Sequence, residues 1–167
     1  DLRVLFAFLS LLPFFVFLKK RSYESKKRIK LFFLLGSINS AVPFVCFSFA
    51  AINLPSGYLS VINSFVPVWS LFFSYIFLGD KIKFGVFVNL LIGVIGVMIF
   101  VGFGPIVLYW DSLTAILFAL IATLCYAISG VLTRKYCVGV SSLSLSIYCL
   151  GFASILLLPS FFLDLPE

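Results

Sequence analysis

The chain leaves Leu31–Gly79, Phe84–Trp110, Ser112–Thr133 and Tyr136–Leu163 without a charged residue, and few folds accept that. A shorter uncharged run, Val4–Leu18, lies near the start. A helix of about 20 apolar residues crosses the hydrocarbon of a bilayer. No water reaches the backbone there, so a span must satisfy its own amides and carbonyls, as a helix does. The first long run has room for two spans and is interrupted by Leu54-Pro55-Ser56-Gly57. Pro lacks an amide donor and Gly tolerates turn dihedrals, so the chain reverses there. Gly102, Gly104 and Pro105 end a later span in the same way. The pattern predicts an all-α polytopic membrane protein with six transmembrane helices: Leu2–Leu18, Leu31–Asn53, Gly57–Leu78, Phe84–Phe103, Leu113–Thr133 and Leu143–Leu163.

Charge gives the direction of the spans. Only 11% of the residues are charged, against about 25% in soluble domains. The net charge of +6 falls in the segments between apolar runs. It therefore reads as a topology signal and not as a nucleic-acid-binding face. Of the 12 cations, all but Arg3 fall on one side of the predicted membrane. Seven stand in the loop Lys19–Lys30, followed by Lys81 and Lys83, then Arg134 and Lys135. Asp1, Asp111, Asp164 and Glu167 fall on the other side. Cations mark the cytoplasmic side. The expectation is a multi-pass cell-membrane protein with loop 19–30 cytoplasmic and residue 1 outside. Tyr109 and Trp110 suit the outer interface, where amphipathic rings are favoured. The basic loop has the composition to hold anionic lipid, although its topogenic role accounts for it.

There is no histidine, and Cys46, Cys125, Cys137 and Cys149 show no metal-binding spacing. The cysteines read as small packing residues. No metal, cofactor or nucleic-acid partner is expected; the partners are the lipid bilayer and a small molecule. The chain begins at Asp1, and no basic stretch or cleavage site frames its first apolar run as a signal peptide. It is expected to be a piece of a longer protein.

The first and last spans resemble each other. Ala7-Phe8-Leu9-Ser10-Leu11-Leu12-Pro13-Phe14-Phe15 aligns with Ala153-Ser154-Ile155-Leu156-Leu157-Leu158-Pro159-Ser160-Phe161, with Ala, two Leu, Pro and Phe coinciding. A repeat unit of five spans has an odd number of crossings, so its two copies run in opposite directions. Such inverted repeats are a signature of secondary transporters.

Polar residues within spans face a bundle or a cavity. On the third span Ser60, Asn63, Ser64, Pro67, Ser70 and Ser74 recur at three- and four-residue steps, which is one helical face. That stripe lines a substrate path or acts as helix-packing glue. Pro43 and Pro67 withhold a donor from the carbonyls of Asn39 and Asn63, making Asn39 a counterpart of Asn63. Both prolines read as ligand sites, gating kinks or tolerated bends. Gly85, Asn89 and Gly93 form a small-residue row suited to close helix packing, with dimerisation as the other reading. Tyr126, Ser129 and Thr133 form a weaker polar row. Asp80 closes the third span beside Lys81 and Lys83, where it pairs with a cation or caps the next helix. No charge lies deep in any span, so the path suits neutral, zwitterionic or amphipathic metabolites.

The stretch Ala50–Gly102 resembles the EamA-type branch of the drug/metabolite transporter superfamily. The likeness rests on a helix end rich in Ala, a short outer turn and an Asn–Pro helix. An acidic stop and a Gly-rich helix complete it, with Asn63, Pro67, Asp80, Gly85, Gly93 and Gly96 in those places. The family more often has Glu where this chain has Asp80. Asn39–Phe44 resembles the preceding helix, and Ala115–Lys135 the opening of a second repeat. The resemblance implies a ten-helix inverted-repeat fold, of which this chain holds helices two to seven. On that register residues 1–103 are the first repeat without its first helix. Residues 104–112 are the outer connecting loop, and 113–167 are two of the five helices of the second repeat.

The function these features imply is secondary transport of small metabolites by alternating access. The substrate-path candidates are Asn39, Ser60, Asn63, Ser64, Pro67, Tyr126 and Ser129. Pro43, Asp80, Gly85, Asn89 and Gly93 are the gating or structural candidates. A membrane enzyme needs histidines, Cys/His pairs or carboxylates facing each other at membrane depth, and the sequence shows none. The alternative is a non-transporting scaffold or assembly subunit.

Overall fold

The computed structural model describes residues 28–81, 83–101 and 110–163, together with Ser10 and Pro13. Within these residues the chain is all-helical. The expected helix Leu2–Leu18, most of the basic loop and the segment 102–109 lie outside the described residues. The other five expected helices are present. They are α1 (Ile29–Asn53), α2 (Ser56–Leu78), α3 (Phe84–Val101), α4 (Trp110–Tyr136) and α5 (Ser142–Leu163). α1, α2 and α4 are long and apolar enough to cross a membrane; α3 and α5 are apolar over Phe84–Ile99 and Ser142–Leu157.

Local chemistry sets the helix ends. Pro55, in extended conformation, caps α2, and its carbonyl accepts from the amides of Tyr58 and Leu59. The reversal at Leu54–Gly57 thus follows the sequence expectation, with α2 starting at Ser56. Gly79 ends α2 in the left-handed conformation (φ 72°), which a residue without Cβ adopts freely. Asp111 lies in the first turn of α4 and Arg134 and Lys135 in its last, each sign matched to the helix dipole. Ser141 starts α5: its Oγ accepts from the Ser144 amide at 3.2 Å.

Two helices depart from regular winding beside a proline. In α1 the turn Ser37–Ala41 is a π turn, with the Val42 amide reaching back to the Ser37 carbonyl. Pro43 follows directly and has no N–H to extend the usual ladder. In α2 the helix breaks at Ser64 and Phe65 and restarts at Val66, with Pro67 in its first turn. The Phe65 amide bonds the Ile62 carbonyl at 3.1 Å, three residues back, and the Ser64 hydroxyl donates to the Val61 carbonyl at 2.6 Å. The turn tightens where Pro67 offers no donor to the Asn63 carbonyl.

The chain forms two compact units, one of Asp1–Val42 with Tyr136–Glu167 and one of Pro43–Lys135. In the first, residues 29–41 pack along α5. Gly36 meets the α5 backbone so closely that a Cβ there would stand 2.6 Å from the Cys149 carbonyl oxygen. Phe32 stacks on Tyr148, and Phe33 meets Phe152 edge-on. Arg28 Nη1 donates to the Tyr136 carbonyl at 2.6 Å, one of the carbonyls left over at the end of α4.

In the second unit Ala50 of α1 and Leu54, just beyond its end, pack on Ala115 and Ala119 of α4, all essentially buried. Small side chains let two helices approach closely, and dispersion across that contact replaces a hydrophobic driving force that a lipid solvent does not supply. Phe47 stacks on Tyr126, and Phe49 on Phe118. α2 packs against α3. Pro43–Lys135 takes in helices from both expected repeats. A repeat is defined by sequence kinship and a unit by contacts, so the two divisions need not coincide.

Candidate functional site

At one end of the second unit, polar side chains tie α2 to α4. Ser74, buried on α2, donates from Oγ to Asp80 Oδ2 at 2.6 Å. Arg134 on α4 donates from Nη1 to the same carboxylate oxygen at 2.5 Å and to Ser74 Oγ at 3.3 Å. Lys135 Nζ donates to the Phe77 carbonyl at 2.8 Å, filling an acceptor left over at the end of α2. The Gly79 turn carries the chain past the end of α2, which lets Asp80 reach back to Ser74. The Ser74 hydrogen bond holds the Asp80 carboxyl below its usual range; desolvation opposes it, and the Arg134 charge and hydrogen bond add smaller lowering effects.

Above this cluster lies an open groove of about 550 Å³. α2 contributes Val66, Pro67, Ser70, Leu71 and Ser74 to its wall. Val86 and Leu90 come from α3, and Gly130, Val131 and Arg134 from α4. The lining is mostly apolar, with two hydroxyls and one guanidinium.

The predicted stripe is divided by the break in α2. Pro67, Ser70 and Ser74, beyond the break, line the groove. Ser60, Asn63 and Ser64, before or at it, do not: Ser60 and Asn63 are exposed, and the Ser60 hydroxyl donates to the Ser56 carbonyl. Asn39 is exposed within the π turn and Pro43 is buried, while Tyr126 stacks on Phe47 and Ser129 is buried in α4. None of these four lines the groove. Gly85, Asn89 and Gly93 are exposed on α3, and a Cβ added at Gly85 or Gly93 would meet nothing within 4 Å. Among the described residues the close helix approach is at Gly36 instead.

Asp80 has the cationic partner its position suggested, but that partner is Arg134, 54 residues away. Arg134 is the site residue that sequence reasoning did not single out. Its signal was the basic pair Arg134–Lys135, which the topology rule had already explained. No group of three or more potential metal ligands occurs among the described residues.

A model of the EamA-like transporter family matches residues 2–102. No curated protein and no solved structure matches the chain.

Proposed function

The chain belongs to the EamA-like transporter family, and from that premise we propose that it moves small neutral, zwitterionic or amphipathic metabolites by alternating access. Membership makes it a multi-pass membrane transporter of the drug/metabolite superfamily. The observation that carries the finer reading is the groove, whose α2 wall is the far half of the predicted polar stripe. By the distribution of cations, its Asp80–Arg134 end faces the cytoplasm. The contacts closing that end are an exposed ion pair and hydrogen bonds, Arg134 to Asp80 and Lys135 to Phe77. Solvent screens an exposed pair, so such a closure opens at little cost. The break at Ser64–Phe65 gives α2 a place to bend as it does so.

The test is transport into proteoliposomes by the full-length protein, screened over metabolite classes. Ser70→Trp and Ser74→Trp fill the groove and should each cut transport about tenfold or more, a change of roughly 1.4 kcal/mol or more in the transport barrier. Full transport by both variants defeats the groove as the path. The exposed row Gly85, Asn89 and Gly93 favours the scaffold reading, under which the wild-type protein transports no class of metabolite.

A further inference from the structure

The groove ends on a guanidinium that the fold leaves half used. Arg134 has five N–H donors. Its contacts to Ser74 and Asp80 both run through Nη1. Nη2 and Nε have no hydrogen-bond partner among the described residues, and the side chain is 63% exposed. Among the described residues, Lys81, Lys83 and Lys135 stand at the same end against one carboxylate, that of Asp80, so the local charge there is positive. The anion this guanidinium already holds is a carboxylate. A second carboxylate meets the planar donor pair Nη2 and Nε in the bidentate geometry peculiar to arginine.

The rest of the groove is apolar and short. From Val66 to Ser74 a helix rises about 12 Å. One leaflet of a bilayer's hydrocarbon is about 15 Å deep. A volume of about 550 Å³ suits a small molecule. These dimensions fit a compact amphiphile better than a membrane phospholipid with two full acyl chains.

We propose that the groove binds amphipathic monocarboxylates. The carboxylate accepts from Nη2 and Nε of Arg134, and the apolar tail lies along α2 against Leu71, Leu90 and Val131. Asp80 and Ser74 act as positioning residues that fix the guanidinium through Nη1. This inference names a substrate class for the site proposed above and rests on the reading of the groove as the substrate path.

Calorimetric binding of octanoate and octanol to the full-length protein in phosphatidylcholine nanodiscs tests it. Octanoate should bind roughly tenfold or more tighter than octanol, the worth of a charge-assisted hydrogen bond. Arg134→Gln should abolish that preference, and Arg134→Lys should keep part of it. Leu71→Trp should weaken both ligands, which keeps the test decisive if Arg134→Gln does not fold. Equal affinity for the two ligands in the wild type overturns the proposal, as does a preference that survives Arg134→Gln. Displacement of octanoate by phosphatidylglycerol in the nanodisc, at fixed salt, identifies bilayer lipid as the occupant and also overturns it. The readout is binding, so it separates from transport. Octanoate binding without transport of any metabolite sustains this inference and defeats the transport reading. Transport of other metabolites without Arg134-dependent octanoate binding does the reverse.

Discussion

A methyl group has nowhere to go at Gly36. The Cβ of any other residue would press on the Cys149 carbonyl, which belongs to the backbone of α5 and cannot rotate away. Gly36→Ala should therefore force residues 29–41 off α5 and destabilise the protein by about 1–3 kcal/mol, as overpacking does. Gly93→Ala meets open space and should be tolerated. Melting temperatures of the two variants in one detergent check the contrast. The sequence pointed to Gly85 and Gly93 because they stand in a spaced row. A row shows where close approach is allowed, not which helix comes to fill it. Asp80 was more legible, since a carboxylate closing a span needs a partner. Which cation serves depends on how α2 lies beside α4, and that is not written in either helix. Its titration follows from the pair. The folded carboxyl titrates below its usual range, so its ionised form adds stability above about pH 4, the unfolded value. That contribution is lost as the pH falls through the lower folded value. Melting temperatures of wild type and Asp80→Asn should differ at pH 7 and converge on acidification below about pH 4.

At the scale of elements, the uncharged runs located the five described helices, because a span must exclude charge along its length. Their ends were less legible. α4 extends from Trp110 to Tyr136, beyond the expected Leu113–Thr133, because Asp111, Arg134 and Lys135 continue the helix with the dipole in their favour. The two irregular turns were foreshadowed by Pro43 and Pro67, but their form was not. One widens into a π turn and the other tightens and restarts. Pro67 sits in a first helical turn, where it is well tolerated. Pro67→Ala should therefore change stability by less than about 1 kcal/mol. It restores a donor for the Asn63 carbonyl, so amide exchange at Ser64 and Phe65 should slow as the break heals. Unchanged exchange would show that the break is held by packing and not by the proline.

For the molecule as a whole, the positive-inside pattern makes the orientation testable. Single cysteines replacing Ser56 and Asp111, both exposed, should react with an impermeant maleimide from outside intact cells. One replacing Lys83, also exposed, should react only after permeabilisation. Outside labelling at Lys83 reverses the assignment. The site was legible in part: the far half of the stripe lines the groove, while the near half and Asn39 do not. Periodicity assigns residues to one face of a helix. It does not say how much of that face a neighbour leaves open, and the break between Asn63 and Val66 divides it. The chain's two tryptophans lie in opposite surroundings. Trp110 is 84% exposed at the start of α4. Trp69 adjoins Ser70 of the groove wall, and its enclosed indole N–H finds no acceptor among the described residues. An indole screened from water emits at shorter wavelength than a wetted one. With Trp110 replaced by phenylalanine, this chain's tryptophan emission, excited at the long-wavelength edge where its tyrosines do not absorb, comes from one residue beside the groove, an optical gauge of its filling that needs no added dye.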